Sequence, residues 1–242
     1  TIINADSRST KNVAQGFDTT FDVSMITLAA NNPGADGATF VIQNVGNSAY
    51  PPSNEDKGFT TNCVAVTLDS YINSPETTAA TVQVLVNGTI SKLINLPTDA
   101  PTVLGSGVTD LTQTTAGAVP YHVRITYSGG LMNIYMNNVQ ILTDYAIDIS
   151  GALDANGKGY VGFIGRTGGF YEAHDITAWS LTEGAPAGAT NPLALTASTI
   201  NATAGTVGLT WTSNPGKTYR ITTSADLSTC TTVLQSAIAS VG

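Results

Sequence analysis

Val64-Ala65-Val66-Thr67-Leu68-Asp69-Ser70-Tyr71-Ile72-Asn73-Ser74-Pro75-Glu76 begins as a strand and ends as a set of oxygen donors. Extended chain repeats every two residues, so Val64, Val66 and Leu68 share one face and point to a core. Asp69 lies on the opposite face, joined by Tyr71 and Asn73 if the strand continues that far. A carboxylate, an amide and a second carboxylate at Glu76 can wrap a hard cation. Calcium favours such ligands and accepts backbone carbonyls among them. A strand end with turn-forming polar residues gives the same spacing, so the spacing leaves both readings open.

The flanking sequence is strand-like throughout. Tyr121-His122-Val123-Arg124-Ile125-Thr126-Tyr127 alternates apolar and polar side chains, Ser128-Gly129-Gly130 breaks the run, and Met132, Ile134 and Met136 resume it before Asn137-Asn138. This predicts a hairpin. Val82, Val84 and Val86 lie on one face of another strand that ends at Asn87-Gly88, a strong turn signal. Tyr160–Gly165 and Ile176–Leu181 read as two more strands. No stretch combines helical periodicity with caps. Many short strands with turns between them predict an all-β sandwich or barrel.

Composition narrows the partners. The chain has 242 residues, 42% hydrophobic and only 11% charged, with a formal net charge of −8. Its surface is therefore covered largely by Thr, Ser, Asn and Gly, which suits an extracellular β protein. With no basic run, nucleic acid is excluded as a partner, because phosphate binding needs clustered Lys and Arg. No apolar run is long enough to span a bilayer, so membrane insertion is not expected. Thr1 does not open a signal peptide, and the expectation is a mature or trimmed secreted chain. Cys63 and Cys230 are read as two buried free thiols, with a disulfide as the alternative.

Several segments together resemble the L-type (legume-type) lectin family. Gly16-Phe17-Asp18-Thr19-Thr20-Phe21 looks like an early strand, and Ala35-Asp36-Gly37 resembles the sugar-binding acidic loop. Val64–Asn73 looks like the metal-binding strand. Gly159-Tyr160-Val161-Gly162-Phe163 and His174-Asp175-Ile176-Thr177-Ala178-Trp179-Ser180-Leu181 resemble the two closing strands. The order along the chain agrees over roughly residues 10–182.

The resemblance implies a concanavalin A-like jelly-roll β-sandwich and assigns roles. Asp36, with Gly37, would accept hydrogen bonds from two sugar hydroxyls, since both carboxylate oxygens accept. Asn73 would give its amide oxygen to calcium and its NH2 to a sugar hydroxyl. Tyr71 would give a backbone carbonyl to calcium and its ring to the sugar. Asp69 and Glu76 would be the charged calcium ligands. Gly168-Gly169-Phe170-Tyr171 occupies the place of the variable specificity loop, so Gly169, Phe170 and Tyr171 join the carbohydrate-binding set. Gly58 is assigned to the family's glycine-bearing loop.

This chain also departs from the family. Thr67 stands where a metal-binding glutamate is expected, and Ala79-Ala80-Thr81-Val82 fills the stretch of the expected histidine. A single calcium is expected, with the transition-metal site lost. The family's first strand or two have no counterpart before Thr1. An exposed sheet edge, open to self-association, is the expectation.

Other chemistries find little support. Glucanases of this fold place alternating acids on one strand, whereas Thr67, Asp69 and Tyr71 here supply no acid pair. His122 is expected to be an exposed bystander and His174 to bond locally; neither accompanies a nucleophile elbow. Asp154-Ala155-Asn156-Gly157 reads as a turn rather than a calcium loop. Asn87-Gly88-Thr89 and Asn201-Ala202-Thr203 are glycosylation sequons, unused if the source is bacterial.

A Pro/Gly-rich linker, residues 183–192, separates the lectin-like region (1–182) from a small C-terminal β module (193–242). Leu209-Thr210-Trp211 and Pro215-Gly216-Lys217-Thr218-Tyr219-Arg220-Ile221 resemble immunoglobulin-like modules of bacterial surface and secreted proteins, with Trp211 in the core. The expected function is calcium-dependent carbohydrate binding, of glycans or polysaccharide, by a non-enzymatic lectin-like protein that is secreted or held at a cell surface. The alternative is a structural or adhesive surface-assembly subunit that keeps the fold without binding sugar.

Overall fold

The computed structural model describes residues 9–27, 32–51, 57–105, 107–114 and 118–184, and the backbone of four strands between 195 and 239. The chain forms two compact units, Thr1–Ala187 and Gly188–Gly242. In the second, β13 (Leu195–Asn201) pairs antiparallel with β14 (Thr206–Trp211), and β15 (Thr218–Thr223) with β16 (Thr232–Ala239). The expectations for Cys230 and for the Trp211 side chain lie outside the described residues.

The first unit is a sandwich of two sheets. One contains β1 (Lys11–Asn12), β11 (Lys158–Arg166), β3 (Gly37–Gln43), β4 (Cys63–Asp69), β5 (Thr81–Val86) and β6 (Thr89–Asn95), in that order across the sheet. The other runs β10 (Val139–Ala146), β9 (Leu131–Met136), β8 (Tyr121–Ser128), β2 (Phe17–Thr27), β12 (Glu172–Glu183), with β7 (Gln113–Thr114) parallel to the end of β2. A four-residue helix, α1 (Leu96–Asp99), and a 3₁₀ turn at Ser150–Ala152 are the helical elements among the described residues.

Alternation builds the core. On β2, Phe17, Phe21, Val23 and Met25 are buried, while Asp18 and Asp22 face outward to Arg124 and His122 of β8. His122 is thus a partner of Asp22 rather than a bystander. Phe17 and Phe21 meet Phe40 of β3 and Phe163 of β11 across the sandwich, with Phe21 and Phe163 edge to face at 4.8 Å. Such aromatic pairs add about 0.5–1.5 kcal/mol each beyond the area they bury. Tight turns join the strands where the sequence marks them. Asn87-Gly88 and Asn137-Asn138 both adopt positive φ at their two central residues, the conformation that suits the twist of a two-residue hairpin.

One expectation needs correcting. Alternation on β4 suggested one buried face, and Val64, Val66 and Leu68 do enter the main core. Yet Cys63, Ala65, Thr67 and Asp69 on the other face are buried too. Phe59 and Ala49, from the connection between β3 and β4, pack over Val41, Cys63, Ala65, Leu85 and Ile164 to make a second, smaller core. The strands β3 and β4 are therefore covered on both faces. Their polar residues must find partners inside, as Thr39 and Thr67 do with each other at 2.9 Å.

Candidate functional site

Antiparallel pairing gathers the expected residues at one end of the two-sided sheet. Gly37, the first residue of β3, lies opposite Asp69 of β4 on one side and Arg166 of β11 on the other. Asp36 precedes it, so three chain segments meet there. The Asp36 amide donates to the Arg166 carbonyl at 2.9 Å, and the Ser70 amide donates to the Asp36 carbonyl at 3.1 Å. The Ala35–Asp36 and Ser74–Pro75 peptide bonds are cis. Asp36 is only 8% exposed.

The loop after β11 folds over this carboxylate. A β-carbon at Gly168 would stand 3.4 Å from Asp36 Oδ2, so the glycine backbone lies directly against it. Phe170 places its ring 5.6 Å from that of Tyr71. Phe170 and Tyr171 are exposed, and Gly169 has open space around it. Asp36, Gly37, Tyr71, Gly169 and Phe170 thus belong to one neighbourhood.

Asn32 fixes the end of the loop. Its Nδ2 donates to the Tyr171 carbonyl at 2.5 Å, and its Oδ1 accepts from the Tyr171 amide at 3.2 Å. Behind it, Glu172 accepts hydrogen bonds from the Ser70 hydroxyl and from Thr112 Oγ1 at 2.7 Å, and pairs with His174 Nε2 at 3.0 Å. Gly34 has a φ of +86°, and a β-carbon there would come within 2.6 Å of Glu172 Oε2. Only glycine lets the chain pass.

Beside Asp36, β4 ends earlier than the alternation suggested. Asp69 Oδ1 accepts from the Tyr71 amide at 2.9 Å, a local turn that stops the strand at Asp69. Tyr71 and Asn73 therefore lie in a loop and do not continue the Asp69 face. The Asn73 carbonyl accepts from the Glu76 amide at 2.6 Å, which brings Glu76 back under the loop. Gly58 does not join the site. It packs toward Cys63 and Ala65, and Cys63 begins β4 about 20 Å of extended chain from Asp69.

Asp69 and Glu76 are 1% and 6% exposed, and among the described residues the hydrogen bonds they accept come from the neutral Tyr71 amide and Gln83 side chain. Burial pushes the Asp69 carboxyl up to about 7; hydrogen bonds from Tyr71 and Gln83 oppose the rise, and the charges of Glu76 and Asp36 add to it. Glu76 Oε2 and Gln83 Oε1 are buried without a partner. Two buried carboxylates with neutral partners, beside two orphaned acceptors, make a donor set that suits a hard cation. Among the described residues no group of three His, Cys, Asp or Glu side chains is placed to hold a metal. A calcium set here would add amide and backbone oxygens, those of Asn73 and Tyr71, to the two carboxylates, as the resemblance implies.

Sequence reasoning missed Asn32, Ser70, Gln83 and Glu172 as parts of this region. Only the Glu172-Ala173-His174 alternation on β12 hinted at a polar pair on one face.

No protein-family model matches the chain, and no curated protein matches it. Among solved structures it is similar to lectin II from Ulex europaeus, at 18% identity over 69% of this chain and 72% of that one, with a TM-score of 0.50. It is likewise similar to a lectin from Bauhinia forficata in complex with GalNAc, at 18% identity over 72% of this chain and 76% of that one, with a TM-score of 0.50. At such identity the likeness speaks to the fold, which is the legume-lectin jelly-roll sandwich expected from the sequence.

Proposed function

We propose, from the premise of a legume-lectin fold, that this protein binds carbohydrate at Asp36 without cutting it, and that one calcium ion orders the site. The observation that carries the reading is the convergence at Asp36. A nearly buried carboxylate lies against the Gly168 backbone, and the chain segments that meet there carry the Tyr71 and Phe170 rings, 5.6 Å apart, so a strong acceptor stands near apolar faces. Sugars present that combination of vicinal hydroxyls and C–H patches, and pockets of this kind fix orientation with few polar groups. Asn73 would supply the donor, and Gly37, Gly169 and Tyr171 the remaining contacts.

Asp69, Glu76, Asn73 and the Tyr71 carbonyl would hold the calcium. Its contribution is positive charge and rigidity, so that the loop carrying Tyr71 and Asn73 is ordered before sugar arrives. A non-catalytic role is supported by the single acid on the outer face of β4 and by Gln83 tying that acid to Glu76. A secreted or surface location is supported by the sparse charge of the sequence. Among the described residues no helix is long and apolar enough to cross a membrane.

A glycan array probed in calcium and again in chelator tests this reading. Binding to at least one glycan class, lost in chelator, is expected; no binding to any glycan in calcium overturns it. The assembly reading has one observation in its favour, since β12 pairs only with β2 among the described residues. Concentration-dependent oligomers without glycan binding would favour it.

A further inference from the structure

We propose that Gln83 is a built-in neutral bridge that holds Asp69 and Glu76 together and so presets the two carboxylates for a cation. The inference rests on the calcium reading above. On β5, Gln83 lies opposite Thr67, and Thr81 lies opposite Asp69, so Gln83 is the diagonal neighbour of Asp69 on the outer face. A long side chain reaches that far. Gln83 is 0% exposed, and its Nε2 donates to Asp69 Oδ2 at 2.9 Å and to Glu76 Oε1 at 2.9 Å. The same nitrogen lies 3.3 Å from Thr81 Oγ1.

Chemistry fixes which way the amide points. Two carboxylate oxygens face the same atom, and only an NH2 group can donate to both; the carbonyl end would set acceptor against acceptors. The amide therefore takes the position between two carboxylates that a bridging ion would otherwise take. It differs from an ion in carrying no charge. It sets the carboxylate spacing but leaves the negative charge uncompensated, and it leaves Glu76 Oε2 as a buried acceptor with no partner. Thr67, across from Gln83, is committed to Thr39 and adds no carboxylate. The site therefore keeps its negative charge and its unpartnered acceptors, with the two acids already fixed in place. The space between Asp69 Oδ2 and Glu76 Oε1 is filled.

The test uses the full chain stripped with chelator, then titrated calorimetrically with Ca2+ and separately with Mn2+. The wild type should take up one divalent ion per chain, an uptake lost in Asp69→Asn. Gln83→Met keeps the length and removes the NH2. It should weaken calcium binding by about tenfold or more, the usual effect of losing a group that orients metal ligands. If that variant does not fold, Gln83→Asn, too short to span both acids, replaces it. Calcium affinity in Gln83→Met within about threefold of wild type overturns the bridge; that fold-change corresponds to roughly 0.7 kcal/mol or less. Should the wild type bind no calcium, the calcium reading fails by itself. The bridge is then judged by thermal melts in chelator of Gln83→Met, Glu76→Gln and the double variant. Non-additive losses support it, and additive losses overturn it.

Discussion

Ser70 and Glu172 stand 102 residues apart in sequence, and the Ser70 hydroxyl donates a hydrogen bond to Glu172 Oε1. The bond joins the end of β4, which leads into Tyr71 and Asn73, to the start of β12, which follows Phe170 and Tyr171. The two loops on which the proposed sugar site depends are thus anchored to one buried carboxylate. Ser70→Ala should destabilise the domain by about 1–2 kcal/mol, roughly 2–8 °C in Tm, and weaken glycan binding in the same protein. A thermal melt paired with a glycan titration checks this; an unchanged melt and unchanged affinity would show that the tie is inconsequential.

Asp36→Asn keeps the shape of the side chain and removes its charge. Losing two charge-assisted acceptors should cost about 2–3 kcal/mol of sugar binding, a loss of roughly 30- to 150-fold in affinity. Calcium uptake should persist, because the proposed ligands lie elsewhere. Calorimetry with the best array hit and with calcium separates the two; sugar affinity within a few-fold of wild type would remove Asp36 from the site.

Gly168 offers a test of geometry without charge. A β-carbon fits at 3.4 Å from Asp36 Oδ2, so Gly168→Ala should be tolerated. Gly168→Val adds branches on the side of the carboxylate and should block sugar while leaving the melting temperature within about 2 °C, as expected for a surface change. If Gly168→Val binds as well as wild type, sugar does not approach Asp36 from this loop.

Cys63 predicts a pH and reactivity profile. Burial pushes its thiol from 9.0 to about 11, against a hydrogen bond from the Phe59 backbone. The folded state holds the thiol proton more tightly than the unfolded state does. Stability is unaffected by this group below pH 9 and declines as pH rises from 9 toward 11, by at most about 1.4 kcal/mol per pH unit. In a Cys230→Ser background, native protein should resist iodoacetamide at pH 8 and react only on unfolding. Rapid native alkylation would contradict the burial.

Local pattern revealed a large part of this fold. The alternation of Tyr121, Val123, Ile125 and Tyr127 and the turns at Asn87-Gly88 and Asn137-Asn138 are local facts, and the chain obeys them. Asp36 and Asp69 stood out because one precedes an apolar strand and the other ends one, in an order that resembles a known family. Gln83 and Glu172 were not, because their roles come from register. Nothing near Gln83 in sequence says that it lies diagonally across from Asp69. Nor does β12 announce that its first residue will meet Ser70. The covered outer face of β4 was hidden for a similar reason, since Phe59 reaches it from a connection with no periodicity of its own. Tyr71 and Asn73 were misplaced because the Asp69 carboxylate stops the strand by bonding the Tyr71 amide, a side-chain effect that alternation cannot register.

The double covering of β3 and β4 has a consequence for how such a protein can change over time. The two acids at the strand ends, Asp36 and Asp69, adjoin strands packed on both faces, while Gly169, Phe170 and Tyr171 lie exposed on a loop held at Gly168 and by Asn32. New ligand preferences can therefore arise by rewriting a few exposed residues, or the length of that one loop, without renegotiating the framework that presents them.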